Sequence, residues 1–175
     1  VIGTVGEPDK IDAQEAFVRA AGDVIERVGS AQFLIVGESG EGERLRKLIY
    51  ELNIQSNVTF APTMDQRKAF SVMDICVLPS VEEGPGHTIL EAMAAARPVI
   101  AIGAGAAFAA VKDEETGLLV EKSDPGSLSR AVLRLLADRD LARRLGMRGR
   151  KVATETYPLR QMLEETLRVY RDVVG

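Results

Sequence analysis

Six short apolar runs, each followed by a stretch of helical character, constrain this chain more than anything else in it. The runs are residues 1–5, 32–36, 58–60, 75–78, 98–101 and 117–120. Each has the length and apolar density of a buried strand. Between the first two, Ala13, Ala16, Phe17, Ala20, Ala21, Val24, Ile25 and Val28 recur with the 3.6-residue period of a one-sided helix over 12–28. Residues 42–53, 64–73 and 87–96 read as further helices, the last of them mostly apolar and so buried. Strands that alternate with helices make a parallel sheet wound on both faces. The expected fold is α/β, a doubly wound parallel sheet of about six strands.

After Val120 the pattern turns helical. Asp124-Pro125 is expected to cap and open a helix with Leu128, Ala131, Val132, Leu135 and Leu136 inward. Residues 138–156 read as one or two short basic helices, and 159–173, after Tyr157-Pro158, as an amphipathic one. The chain has 175 residues, about the length of one domain. Residues 1–120 form its α/β core and 121–175 its helical extension.

Ligands of such sheets bind at the carboxyl ends of the strands. The segment that follows the run 75–78 is built for this. Its sequence, from Pro79 to Ala94, is Pro-Ser-Val-Glu-Glu-Gly-Pro-Gly-His-Thr-Ile-Leu-Glu-Ala-Met-Ala. A glycine loop enters a helix, and the unpaired N–H groups of a helix start bind anions. Glu83 and Glu91 flank the loop with seven residues between them. Phosphate needs the N–H groups, and a sugar hydroxyl wants a carboxylate acceptor. The segment is shaped for a sugar nucleotide.

This segment resembles the donor-site signature of the retaining GT-B glycosyltransferases, the large group-1 family that includes glycogen synthase and sucrose synthase. The resemblance continues in Val36-Gly37-Glu38, Asn57-Val58-Thr59-Phe60, Pro98-Val99-Ile100-Ala101, Thr116-Gly117-Leu118-Leu119-Val120 and Val169-Tyr170. It covers nearly the whole chain. It implies a Rossmann-like domain, the C-terminal donor-nucleotide half of a two-domain enzyme whose N-terminal acceptor domain is missing here. The implied function is transfer of a sugar, with retention, from a nucleoside-diphosphate sugar. That sugar nucleotide is the substrate, and neither a cofactor nor a metal is expected. The half alone is expected to be inactive.

Carried onto these positions, the resemblance makes Glu91 the acceptor of the ribose hydroxyls. Glu83 becomes the catalytic carboxylate beside the anomeric carbon. Gly84 and Gly86 allow close backbone approach, and His87, Thr88 and Ile89 supply N–H groups to the diphosphate. Ala61 and Pro62 hold the base, and Gly6 lies at the first loop. The bland readings stand beside these. Glu91 also suits a solvated carboxylate near a helix start, Glu83 an exposed loop acid with Glu82 next to it, and His87 a plain cap residue. Pro85 removes one N–H from the loop.

The chain departs from the family in the first loop. Where the family carries an Arg and a Lys that clamp the diphosphate, this chain has Glu7 and Asp12. Lys10 is the nearby cation. After the run 98–101, Ala109 stands where the family has an acid. These changes keep an alternative open, a degenerate, non-catalytic GT-B domain that serves as a binding or scaffold module. A third reading, an unrelated Rossmann-type nucleotide domain, is disfavoured for dinucleotide oxidoreductases because no G-x-G-x-x-G follows the first strand.

Composition narrows the partners. A net charge of −4 disfavours nucleic acid. The single cysteine, Cys76, excludes an internal disulfide and reads as a buried thiol. Asp138-Arg139-Asp140 looks like a metal-binding D-x-D but falls among the late helices, where a surface role fits better. The basic run 139–151 is a solvated helix face, with a membrane surface as the alternative partner. No run approaches the ~20 apolar residues of a membrane helix, and no signal peptide is visible. The expected compartment is the cytoplasm.

Overall fold

The computed structural model of the chain describes residues 1–5, 11–37, 42–79, 87–102, 109–121, 124 and 126–174. The strands are β1 (Ile2–Val5), β2 (Phe33–Val36), β3 (Val58–Ala61), β4 (Ile75–Leu78), β5 (Val99–Ile102) and β6 (Leu118–Val120). The helices are α1 (Ile11–Arg27), α2 (Gly42–Glu51), α3 (Gln66–Val72), α4 (His87–Ala94), α5 (Ser127–Ala137), α6 (Arg139–Thr156) and α7 (Leu159–Val174). All six strands pair in parallel in the order β3-β2-β1-β4-β5-β6. The expected Rossmann-like sheet is present.

Strand alternation divides the core in two. Phe33, Ile35, Ile75, Val77 and Ile100 point to one face and pack under α1, α2 and α5, together with Phe17, Leu45 and Leu135. The rings of Phe17 and Phe33 meet edge to face at 5.7 Å. Leu34, Val36, Cys76, Leu78, Val99 and Ala101 point to the other face, against Phe70 and Met73 at α3 and Ile89 and Met93 of α4. Each such side chain contributes about 1.5–3 kcal/mol when fully buried. Cys76 is buried, as expected of an inert thiol.

Several local expectations shift. In α1, Ala16 is exposed, and the buried stripe runs through Gln14, Phe17, Val18, Ala21 and Val24. The larger Phe17 and Val18 set the helix rotation, and alanine has little area with which to compete. Helix α4 is buried on one face only, with Ile89, Ala92 and Met93 inward and His87, Glu91 and Ala94 exposed. Asp124 does not cap α5. Gly126 is the cap position and makes no side-chain cap bond. The Asp124 carboxylate instead accepts from the Gly126 N–H at 3.0 Å and pairs with Arg130. Residues 139–156 form one helix, begun by Asp138, whose carboxylate accepts from the Leu141 N–H at 2.8 Å. Asp138 is therefore a helix cap.

Helix α6 presses on the far end of α4. A Cβ built on Gly146 would lie 2.3 Å from the Ala96 carbonyl oxygen, and one on Gly149 would lie 3.1 Å from that of Thr116. Only glycine permits this approach. Ala96 itself turns with φ 57°. At the other end of α6 the Tyr157 hydroxyl donates to the Ala109 carbonyl at 2.9 Å. Leu163, Leu167, Val169 and Tyr170 of α7 are all more than half exposed.

Candidate functional site

The strand order places the site. From β1 the chain turns through α1 to β2 on one side. From β4 it turns through α4 to β5 on the other. The carboxyl ends of β1 and β4 are thus the point where the connections diverge, and in sheets of this kind that switch point is the ligand-binding crevice. The registers Val5↔Val36 and Val36↔Ala61 put the ends of β1, β2 and β3 in one row. With about 4.8 Å between strands, Ala61 lies roughly 10 Å from Val5.

On the β4 side the crevice is bordered by the start of α4. His87 and Glu91 are exposed and four residues apart, hence on one helix face. Thr88 beside them is half-buried, and Ile89 is turned inward. Ile89, Ala92 and Met93 fix the helix to the sheet, so the carboxylate of Glu91 stands on a rigid element while remaining open to solvent. The N–H groups of His87, Thr88 and Ile89 belong to the first turn and have no partner within the helix. A cluster of N–H groups with a carboxylate one turn further on can take an anion and a hydroxyl of one ligand.

The base-side positions also resolve. Ala61 is the last residue of β3 rather than part of the loop after it, and its carbonyl accepts from the Met64 N–H at 3.3 Å. Pro62 follows in the exposed turn. Asn57, at the start of the same motif, is structural. Its side-chain amide donates to the Gly29 and Ala31 carbonyls at 3.0 and 2.9 Å and ties the α1–β2 turn to β3. Ala109 is exposed and presents its carbonyl to Tyr157. Gly6, Glu7, Lys10, Glu83, Gly84 and Gly86 lie outside the described residues, and the side chain of Asp12 does too.

Gln14 was not expected here. It is 7% exposed, in the first turn of α1, and its Oε1 has no hydrogen-bond partner among the described residues. Its spacing of three and four residues from Phe17 and Val18 was the available signal, masked by Ala13 and Ala16.

Beside β6 and α5 the charges pair with one another. A cavity of about 350 Å³ beside β6 and α5 is lined by Glu114, Asp124, Arg130 and Arg134, among others. Arg134 pairs with Glu114 and Arg130 with Asp124. The hydrogen bond from Arg134 holds the Glu114 carboxyl below its ordinary range, and that from Arg130 does the same for Asp124. These cations are already committed, so the cavity does not rival the crevice as an anion site. No group of three or more metal-ligating side chains occurs among the described residues.

The sheet order and the helix start at its switch point define a Rossmann-like α/β domain. Residues 1–138 match the model of the family described as glycosyl transferases group 1, and the chain belongs to that family. It is 36% identical over 159 residues to a D-inositol 3-phosphate glycosyltransferase of Nocardia farcinica, an alignment covering 85% of this chain and 35% of that protein. The chain thus spans little more than a third of that relative. The C-terminal domain of a group 1 glycosyl transferase, LpcC of Francisella tularensis, superimposes with a TM-score of 0.82 at 25% identity, covering 90% of this chain and 86% of that one. TarM of S. aureus, solved with fondaparinux, alpha-GlcNAc-glycerol and UDP, gives 0.88 at 25% identity, covering 97% of this chain and 35% of that one. No helix among the described residues is long and apolar enough to cross a membrane.

Proposed function

We propose that this chain is the donor-binding half of a retaining glycosyltransferase and takes a nucleoside-diphosphate sugar. The observation that carries the reading is α4, whose first turn borders the switch-point crevice with Glu91 exposed one turn in. The N–H groups of His87, Thr88 and Ile89 hold the diphosphate. The Glu91 carboxylate accepts from the ribose hydroxyls, and the turn Ala61-Pro62 lies against the base. The bond from the anomeric carbon to the diphosphate oxygen breaks, and the electron pair leaves with the diphosphate. Glu83 stabilises the positive charge that develops on the sugar. The acceptor hydroxyl, held by a second domain, forms the new bond on the same face and gives its proton to the departing diphosphate oxygen. The likeness to a structure solved as a C-terminal domain, and to a protein solved with UDP, supports the reading.

Glu7 and Asp12 favour a second reading, in which the domain binds without catalysing. Two anions in place of two cations oppose a diphosphate electrostatically. Calorimetry with UDP, GDP and ADP, alone and sugar-linked, tests binding. Micromolar to millimolar affinity, weakened in Glu91→Ala, is expected, and affinity unaffected by Glu91→Ala removes the ribose assignment. Glu7→Arg/Asp12→Lys should tighten binding by about 1–2 kcal/mol. If Lys10→Ala weakens binding, Lys10 has taken over the clamp and the transferase reading gains. Sugar transfer to an acceptor by residues 1–175 alone would contradict the two-domain reading.

A further inference from the structure

Helix α6 carries an exposed apolar side chain ringed by cations. Met147 is 57% exposed. Its neighbours at four and three residues before, and three and four after, are Arg143, Arg144, Arg150 and Lys151, all exposed. Those spacings place all four around it on one helix surface. Arg139 and Arg148 extend the same exposed half. Against these six cations α6 has two anions, Asp140 and Glu155, for a net +4 in a chain whose total is −4. The rest of the chain therefore carries −8.

None of Arg139, Arg143, Arg144, Arg148, Arg150 and Lys151 forms an ion pair among the described residues. Asp140 and Glu155 stand four residues from Arg144 and Lys151 without pairing with them. Arg144 acts only at a distance, adding to the field that holds Glu114 low. The opposite side of α6 is locked against the body by Leu141, Leu145, Gly146, Gly149 and Ala153, so the basic side is held outward rigidly.

We propose that this face of α6 docks on the surface of an anionic lipid bilayer. The cations lie over the headgroups, and Met147 enters the boundary between headgroups and acyl chains. A bilayer fits better than a nucleic acid for two reasons. The centre of the patch is an apolar side chain rather than a donor or an aromatic ring that could stack on a base. The patch is also a convex helix face, which meets a plane. Each Lys or Arg near an anionic surface is worth about 1 kcal/mol, roughly fivefold in affinity. Four cations with one Met give reversible association rather than permanent anchoring. The inference does not depend on the donor-site reading, because the crevice residues are not involved.

Co-sedimentation of the 175-residue chain with vesicles tests it. Binding is expected to vesicles of phosphatidylcholine with about a third of phosphatidylglycerol, weakening as salt rises, and not to phosphatidylcholine alone. Arg143→Gln/Arg150→Gln should weaken binding by roughly 25-fold, at about fivefold for each charge. Arg143→Lys/Arg150→Lys should retain it, which separates charge from damage to the fold. Met147→Ser should weaken it several-fold with the salt dependence unchanged. Equal binding to both lipid compositions, or full binding by the Gln variant, overturns the proposal. So does duplex DNA that binds as tightly as the anionic vesicles while Met147→Ser leaves both unaffected.

Discussion

The two ends of α4 are built on opposite principles. Its carboxyl end is closed by backbone against backbone, with Gly146 of α6 over the Ala96 carbonyl and Ala96 turned to φ 57° to let β5 begin. Its amino end exposes His87 and Glu91 at the crevice. Eight residues thus join a region where every added atom is felt to one where polar groups are exposed. Rigidity at one end lets the other hold groups in place without self-pairing. Substitutions at the closed end should cost stability, and those at the open end should cost ligand binding.

The largest effect is expected at the closed end. Gly146→Val puts a branched side chain where a single Cβ already meets the Ala96 oxygen at 2.3 Å. The helix must move off β5, at about 3 kcal/mol or more. A urea melt measures this, and an unchanged midpoint would mean that the contact between α6 and Ala96 is not tight. Next comes Glu91→Ala. Loss of a charge-assisted hydrogen bond costs about 1.5–3 kcal/mol of nucleotide binding, roughly 10- to 100-fold in Kd. The melt should shift by less than about 0.5 kcal/mol, as for an exposed position. If instead Glu91→Ala unfolds the domain, the open end is structural as well.

Strand positions and the motif that follows β4 were legible because period and composition there agree. Ile75–Leu78 was recoverable to the residue, since an apolar run bounded by Asp74 and Pro79 leaves little freedom. The rotation of α1 was not legible. Alanine occurs on either side of a helix at small cost, and only the bulk of Phe17 and Val18 decides which face turns in. The use of Asp124 was misleading for a related reason. An Asp before a Pro suits a cap, yet Arg130, six residues on, competes for the same carboxylate. Gly146 and Gly149 were invisible, because a glycine's partner lies across the fold and leaves no local pattern. The roles of Glu83 and the first loop rest on the resemblance alone.

A smaller effect sharpens the closed end. Ala96 occupies the left-handed region with φ 57°. That conformation costs an L-residue about 1–2 kcal/mol, of which glycine returns about 0.5–1 through its own loss of entropy on folding. Ala96→Gly should therefore stabilise the domain by about 0.5–1 kcal/mol, seen as a higher urea midpoint with unchanged slope. A lower midpoint would mean that the Ala96 methyl group packs usefully.

The smallest effect belongs to the pair Glu114–Arg134, which ties the turn before β6 to α5. Both side chains are about half exposed, so solvent screening limits the pair to under about 1 kcal/mol. Its sign with pH is fixed. The Arg134 hydrogen bond lowers the folded Glu114 pKa below its ordinary 4.5. The unfolded chain therefore binds the proton more readily, and the contribution is fully present above about 4.5. It fades as pH falls below that value and is gone once pH passes the lowered folded pKa. The raised pKa of Arg134 has no effect in this range, because the guanidinium stays protonated throughout. Arg134→Gln should accordingly be slightly less stable than the parent at neutral pH and equal to it in acid. Urea melts of both proteins across the acid range measure the difference. A gap that stays constant with pH would assign the loss to packing of the Arg134 stem rather than to its charge.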